Sequence, residues 1–191
     1  SPDRALTLVV KSDEGGLLGA FTGVWDEPRR RTTSFILHGQ RTREDSEGQG
    51  IWGSLYKEWL TLLKARAVAE GSANVSATIP PTGDCHRNPS MLIRLVRRGW
   101  TANDGDLMRD EAYFQRLIDR GVKEVKGVNV VFGPFTIADI PSGDPPRVVP
   151  PAGELPMATL PPGAPETTAD HTDESQPTRV ESQSDLLPTI L

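Results

Sequence analysis

The stretch "DSEGQGIWGSLYKEWL", Asp45 to Leu60, decides how this chain is read. Gly48 and Gly50 close a polar run. Apolar residues then recur at 52, 55, 56, 59, 60, 63 and 67, the i, i+3, i+4, i+7 rhythm of an amphipathic helix. Ser54, Lys57, Glu58, Thr61 and Lys64 fill the other face, and Gly71 suits the C-terminal cap. Glycine lets a backbone approach a ligand closely, and the first free N–H groups of a helix, with its dipole, attract an anion. The turn is therefore either a phosphate cradle or only a sharp bend into a helix.

Upstream, "ALTLVVKS" and "LLGAFTGVW" flank the turn "DEGG" and predict a hairpin, and "TTSFILHGQ" gives a third strand after the basic turn "DEPRRR". Downstream, "ANVSATIP" is a fourth strand, stopped by Pro80 and Pro81. In "NPSMLIRLVRRG", Asn88 suits an N-cap, Pro89 the first helical position and Gly99 the end. A further helix is expected over about Leu107 to Arg120, and "GVNVVFGPFTIADI" as one long strand with a bend or bulge at Gly133. The order β-β-β-α-β-α-(α)-β predicts an α+β body, one sheet with helices against it.

Eleven of the seventeen prolines follow Ile140, so no helix or central strand is expected there. Residues 141–191 carry eight acids against Arg147 and Arg179, whereas the whole chain is at -5, so residues 1–140 are near neutral. We therefore divide the chain into a body, 1–140, and an extended acidic proline-rich tail, 141–191. The tail is either a linker or an arm that lies on protein partners in a homo- or hetero-oligomer. Val148, Val149, Leu155, Met157 and Leu160 would fill successive pockets, and "SDLLPTIL" would be a terminal anchor. The charge balance gives no nucleic-acid footprint. No apolar run is long enough for a membrane span, and "SPDRALTLVV" lacks the order of a signal peptide. Cys85 is the one cysteine, and His38, His86 and His171 are far apart, so no metal cage is expected. A soluble chain is expected, cytoplasmic or within a large assembly.

Two motifs at a fixed separation resemble the GNAT-type N-acetyltransferases over about residues 5–102. That family's (Gln or Arg)-x-x-Gly-x-(Gly or Ala) falls on Asp45, Gly48 and Gly50. Its Asn-x-x-Ala-x-x-x-Tyr segment, closing on Gly-Phe, falls on Asn88, Met91, Leu95, Gly99 and Trp100. The resemblance implies a mixed sheet flanked by helices that binds acetyl-CoA. Amides of the turn, Ser46, Glu47, Gly48, Gln49, Gly50 and Ile51, would hold the pyrophosphate. The strand from about Ile36 to Thr42 would pair with the pantetheine arm, and Asn88 would serve the site while capping its helix.

The departures from the family pattern are specific. Asp45 and Glu47 stand near the expected pyrophosphate, where a unit charge 4 Å away is worth about 4 kcal/mol at intermediate dielectric, with Arg41 or Arg43 available to offset it. Trp52 stands where a small residue usually lies, and Leu95 where a proton-donating tyrosine usually lies. The family's first strand and two helices, which build the acceptor wall, are expected to be missing.

Single residues divide between chemistry and structure. His38 is the candidate general base, set against a structural strand histidine. Asp13 and Glu14 fit hairpin-turn chemistry, Cys85 a loop thiol, and Arg29, Arg30 and Arg31 a solvated turn. Arg94, Arg97 and Arg98 are expected as solvent or interface charges. Two functions fit these residues. One is acetyl transfer to an amine, which needs orientation and a backbone donor above all. The other is a non-catalytic GNAT-like assembly protein, for example of a bacteriophage virion, whose arm binds neighbouring subunits.

Overall fold

The computed structural model describes residues 2–81, 87–145 and 180–182. Strands β1 (Ala5–Lys11), β2 (Leu17–Trp25) and β3 (Thr32–Thr42) form an antiparallel meander. Helix α1 (Ile51–Glu70) then crosses to β4 (Asn74–Ile79), which lies parallel to β3. Next come α2 (Pro89–Val96), β5 (Trp100–Asp104), β6 (Leu107–Arg109), α3 (Glu111–Asp119), β7 (Val128–Thr136) and β8 (Val180–Ser182). The mixed sheet runs β6-β5-β7-β4-β3-β2-β1-β8. The α+β class expected from the sequence, one sheet with helices against it, is present.

Period-2 alternation sets the core. Phe21 and Trp25 of β2, Phe35 and Leu37 of β3, and Val75 and Ala77 of β4 point to one buried face. Helix α1 lays Leu55, Tyr56, Trp59, Leu63 and Ala67 on it. Trp59 is the hub: the rings of Phe21, Phe35, Tyr56, Trp100 and Phe132 lie 5.3 to 5.8 Å from its own. All four tryptophans are buried.

Two features of β3 open one end of the sheet. Its pairing with β4 runs from Thr32↔Asn74 to Ile36↔Thr78, after which β3 continues to Thr42 with no β4 partner. On its other side Gly23 pairs with Leu37 but Thr22 pairs with Gly39, which leaves His38 as an extra residue. Such a bulge reverses the facing of the residues beyond it, so Gln40 comes round toward α1.

One expected element is corrected. The segment 107–120 is not a single helix: its first residues form β6, paired antiparallel with β5 through the two-residue turn Gly105-Asp106. Only then does Asp110 cap α3, its Oδ1 accepting from the Tyr113 amide at 2.8 Å. The glycine of an Asp-Gly pair, with φ 60°, supplies the left-handed residue that a tight hairpin needs. The bulge expected at Gly133 is present, since Val75 pairs with Phe135 and Ala77 with Phe132.

Residues 141–145, beyond the expected boundary, pack on the helices. Lys57 Nζ is 2.8 Å from Asp144 Oδ1, and Arg98 Nε donates to the Gly143 carbonyl at 2.9 Å. Farther along, Val180–Ser182 pairs with Leu8–Val10 at the sheet edge, in keeping with a proline-rich segment barred from central positions. Val148, Val149, Leu155, Met157, Leu160 and "SDLLPTIL", like Cys85, His86 and His171, lie outside the described residues. Among the described residues no helix is long and apolar enough to cross a membrane.

Candidate functional site

The chain leaves β3 through one short 3-10 turn, Glu44–Ser46, and enters α1 through Gly48 (φ 82°) and Gly50 (φ 74°). A Cβ added to either glycine would meet nothing within 4 Å, so both are required for their left-handed backbone and not for want of room. The bend has a consequence for α1. Gly50 is the N-cap, no side chain caps the helix, and no acid stands in its first turn. The amides of Ile51, Trp52 and Gly53 therefore lack helical acceptors and open onto the turn. The glycines make the bend, and the bend exposes the donors.

These donors face a cavity of about 330 Å³ lined by Thr42, Ser46, Glu47, Gly48, Gly50, Ile51, Trp52 and Gly53 on one side. Arg94, Arg97 and Arg98 of the α2 end and Pro145 close the other. Six residues singled out in the sequence thus meet there: Thr42, Ser46, Glu47, Gly48, Gly50 and Ile51. Gln49 and Asn88 are not part of the lining. Asn88 caps α2, with its Oδ1 accepting from the Ser90 amide at 2.8 Å. His38 is exposed on the bulge, and its side chain has no hydrogen-bond partner among the described residues.

Arg94 and Arg97 are exposed, as the sequence reading expected, and with the half-buried Arg98 they also form one wall of this cavity. Their spacing, i, i+3, i+4, puts them on one helical stripe, the signal that could have identified them. The expected acidic repulsion is smaller than the sequence implies. Asp45 is bonded to Arg43 Nε, and that bond holds its carboxyl below the usual carboxylate range. Glu44 lines a neighbouring cavity of about 520 Å³ together with Arg41 and Arg43. Among the described residues, Glu47 is the one acid on the first cavity.

The three guanidiniums differ in freedom. Arg97 pairs with Glu111, fastening α2 to α3 and holding the Glu111 carboxyl low. Arg98 donates from Nη1 to the Arg94 carbonyl at 2.9 Å and from Nε to Gly143; burial lowers its pKa. Arg94 is exposed, with its guanidinium 5.9 Å from the Trp52 ring centre.

Trp52 is 8% exposed although it lines the cavity. Its ring stacks on Tyr56 at 5.1 Å, Arg98 stands 4.7 Å from its centre, and its Nε1 donates to Gln40 Oε1 on the stretch of β3 that has no β4 partner. Leu95 is fully buried in the core, so no hydroxyl occupies the family's tyrosine position. The nearby phenol, Tyr56, accepts from Trp100 Nε1 at 2.8 Å, and burial pushes its pKa up to about 12. Among the described residues no cluster of His, Cys, Asp and Glu could hold a metal ion.

No family model matches the chain, and no curated protein matches it. Solved structures do. It is similar to the putative acyl-CoA N-acyltransferase from Klebsiella pneumoniae at 15% identity over 71% of this chain and 76% of that one, with a TM-score of 0.43. Nourseothricin acetyltransferase is similar at 16% identity over 68% and 64%, TM-score 0.38. An acetyltransferase from Bacillus cereus is similar at 20% identity over 39% and 46%, TM-score 0.28. The chain spans about half to three quarters of the length of these structures.

Proposed function

We propose that this chain binds acetyl-CoA, or a related acyl-CoA, as a GNAT-like N-acyltransferase acting on an amine. One observation carries the reading: the uncapped head of α1, the left-handed Gly48 and Gly50, and the arginines at the end of α2 converge on one cavity beside the stretch of β3 that has no β4 partner. The donor set fits a pyrophosphate. Backbone N–H groups and guanidiniums bind phosphate oxygens well, and a helix head adds favourable dipole. The amides of Ser46 and Glu47 already donate to the Arg43 and Glu44 carbonyls, so Gly48 to Ile51, with Arg94, would hold the diphosphate; Ser46, Glu47 and Thr42 would border it, and Asn88 would keep α2 in place.

Acetyl-CoA would supply an activated thioester. An attacking amine nitrogen would take the acetyl carbon from sulfur as the carbon–sulfur bond breaks, and the proton lost by the amine would pass by way of His38 or solvent to the departing thiolate. Amides of β3 beyond Ile36 that point away from β2, on the side where β4 has ended, would hold the thioester oxygen, and His38 on the bulge is the candidate base for the amine proton. Thermal unfolding of the full chain with acetyl-CoA tests the reading. Saturable stabilisation is expected, about 2.7 kcal/mol at a hundredfold excess over Kd. No shift at millimolar concentration would oppose it.

A second reading is favoured by the pairing of Val180–Ser182 with β1. In a non-catalytic assembly protein, as in a virion, the same C-terminal segment would add to the β1 edge of a neighbouring subunit. In that case replacing Glu181 by proline should lower the oligomeric mass in solution; an unchanged mass opposes it.

A further inference from the structure

We propose that Trp52 is a bolt across the acyl-arm channel, so that the cavity at the head of α1 takes a nucleoside diphosphate headgroup while the thioester arm enters only when the Trp52–Gln40 bond is broken. This rests on the acyl-CoA reading above and narrows it. An arm leading from the cavity toward the bulge at His38 must follow β3 from Thr42 past Gln40, because that is where β3 has no β4 partner. The bulge turns Gln40 toward α1, and there its Oε1 accepts from the Trp52 indole. The indole therefore bridges α1 and β3 across the route.

The indole is held by its neighbours. Tyr56 stacks against the ring, and Arg98 lies against both rings, 4.7 Å from Trp52 and 5.5 Å from Tyr56, tethered in turn by the carbonyls of Arg94 and Gly143. Lys57 and Asp144 hold the Gly143 segment down. Trp52 is thus far more buried than a residue lining an open cavity needs to be. The diphosphate donors, the turn amides up to Ile51 and the Arg94 guanidinium, line the cavity itself, and none of them takes part in the Trp52–Gln40 bond. The chemistry predicts discrimination within one ligand: the charged head binds and the neutral arm is refused.

Calorimetric titration of the full chain with ADP and with acetyl-CoA tests this, using the wild type, Trp52→Ala and Gln40→Ala. In the wild type, acetyl-CoA is expected to bind within about threefold of ADP. In Trp52→Ala, acetyl-CoA should gain at least tenfold over ADP while ADP itself changes little. Gln40→Ala, which cuts the bond but keeps the ring, should give a smaller gain of the same sign and serves if Trp52→Ala does not fold. Wild-type acetyl-CoA already tenfold tighter than ADP, or no relative gain in either variant, overturns the bolt and leaves the acyl-CoA reading standing. No binding of either ligand to any of the three proteins overturns both.

Discussion

The two ends of the β3–β4 pair are built on opposite plans. At the end where pairing begins, polar groups satisfy one another. Thr33 Oγ1 donates to Glu70 Oε2 at 2.6 Å and lies 2.8 Å from Ser72 Oγ, Arg66 Nε donates to Glu70 Oε1 at 2.6 Å, and the amides of Ala73 and Asn74 donate to the Arg31 carbonyl. At the end where pairing stops, α1 starts without a cap, two glycines sit in left-handed backbone, and arginines line empty space. The closed end is a structural joint. The open end carries donors in excess of internal acceptors, as a binding site does.

The comparison can be broken or sharpened by mutation. Trp59 joins both ends through one aromatic hub, so Trp59→Ala should cost about 3–5 kcal/mol and lower the denaturation midpoint of both ends together. Two transitions in place of one would show that the ends are independent.

The next largest effect is at high pH. Tyr56 has its pKa raised from 10 to about 12 in the folded chain, chiefly by burial. A raised folded pKa means stability that is complete below pH 10 and is lost as the pH rises through 12, here by about 2–3 kcal/mol. Tyr56→Phe should remove that part of the loss, while itself costing about 1–2 kcal/mol by leaving Trp100 Nε1 unpaired. Identical alkaline profiles for the two proteins would contradict the burial of the phenol.

Smaller effects separate the ends directly. Thr33→Val removes a buried donor to Glu70 and should cost about 1–2 kcal/mol with no change in ligand affinity. Gly48→Ala should cost about 1 kcal/mol from left-handed strain alone, since its Cβ meets nothing, but should weaken ligand binding. The reverse pattern, with ligand affinity sensitive to Thr33 and not to Gly48, would exchange the roles assigned to the two ends.

The elements with local signals are legible in the sequence: the α1 stripe, Asn88 before Pro89, the alternation in β2 and β4, and the bulge at Gly133. The hairpin of β5 and β6 is hidden because "LMRDEAYFQRLIDR" has a helical composition throughout, and only Asp104-Gly105 marks the turn before it. The glycine turn identifies one wall of the cavity. The other wall is the arginine stripe at the end of α2, far along the chain, and its convergence depends on the tertiary fold bringing that end to the head of α1, which no local pattern encodes. The bulge at His38 is likewise invisible, because it exists only in the register between β2 and β3. Asp45 reads as a repulsive charge in the sequence because its bond to Arg43 depends on the fold of the turn.

The most direct test of the central claim is calorimetric titration of acetyl-CoA into the full chain, its Arg94→Ala variant and its Glu47→Gln variant. Binding at one site per chain is expected, with at least about a tenfold loss for Arg94→Ala and a gain for Glu47→Gln, because one residue attracts the diphosphate and the other repels it. No heat at millimolar ligand, or affinities indifferent to both replacements, would contradict the assignment of this cavity to the diphosphate of an acyl-CoA.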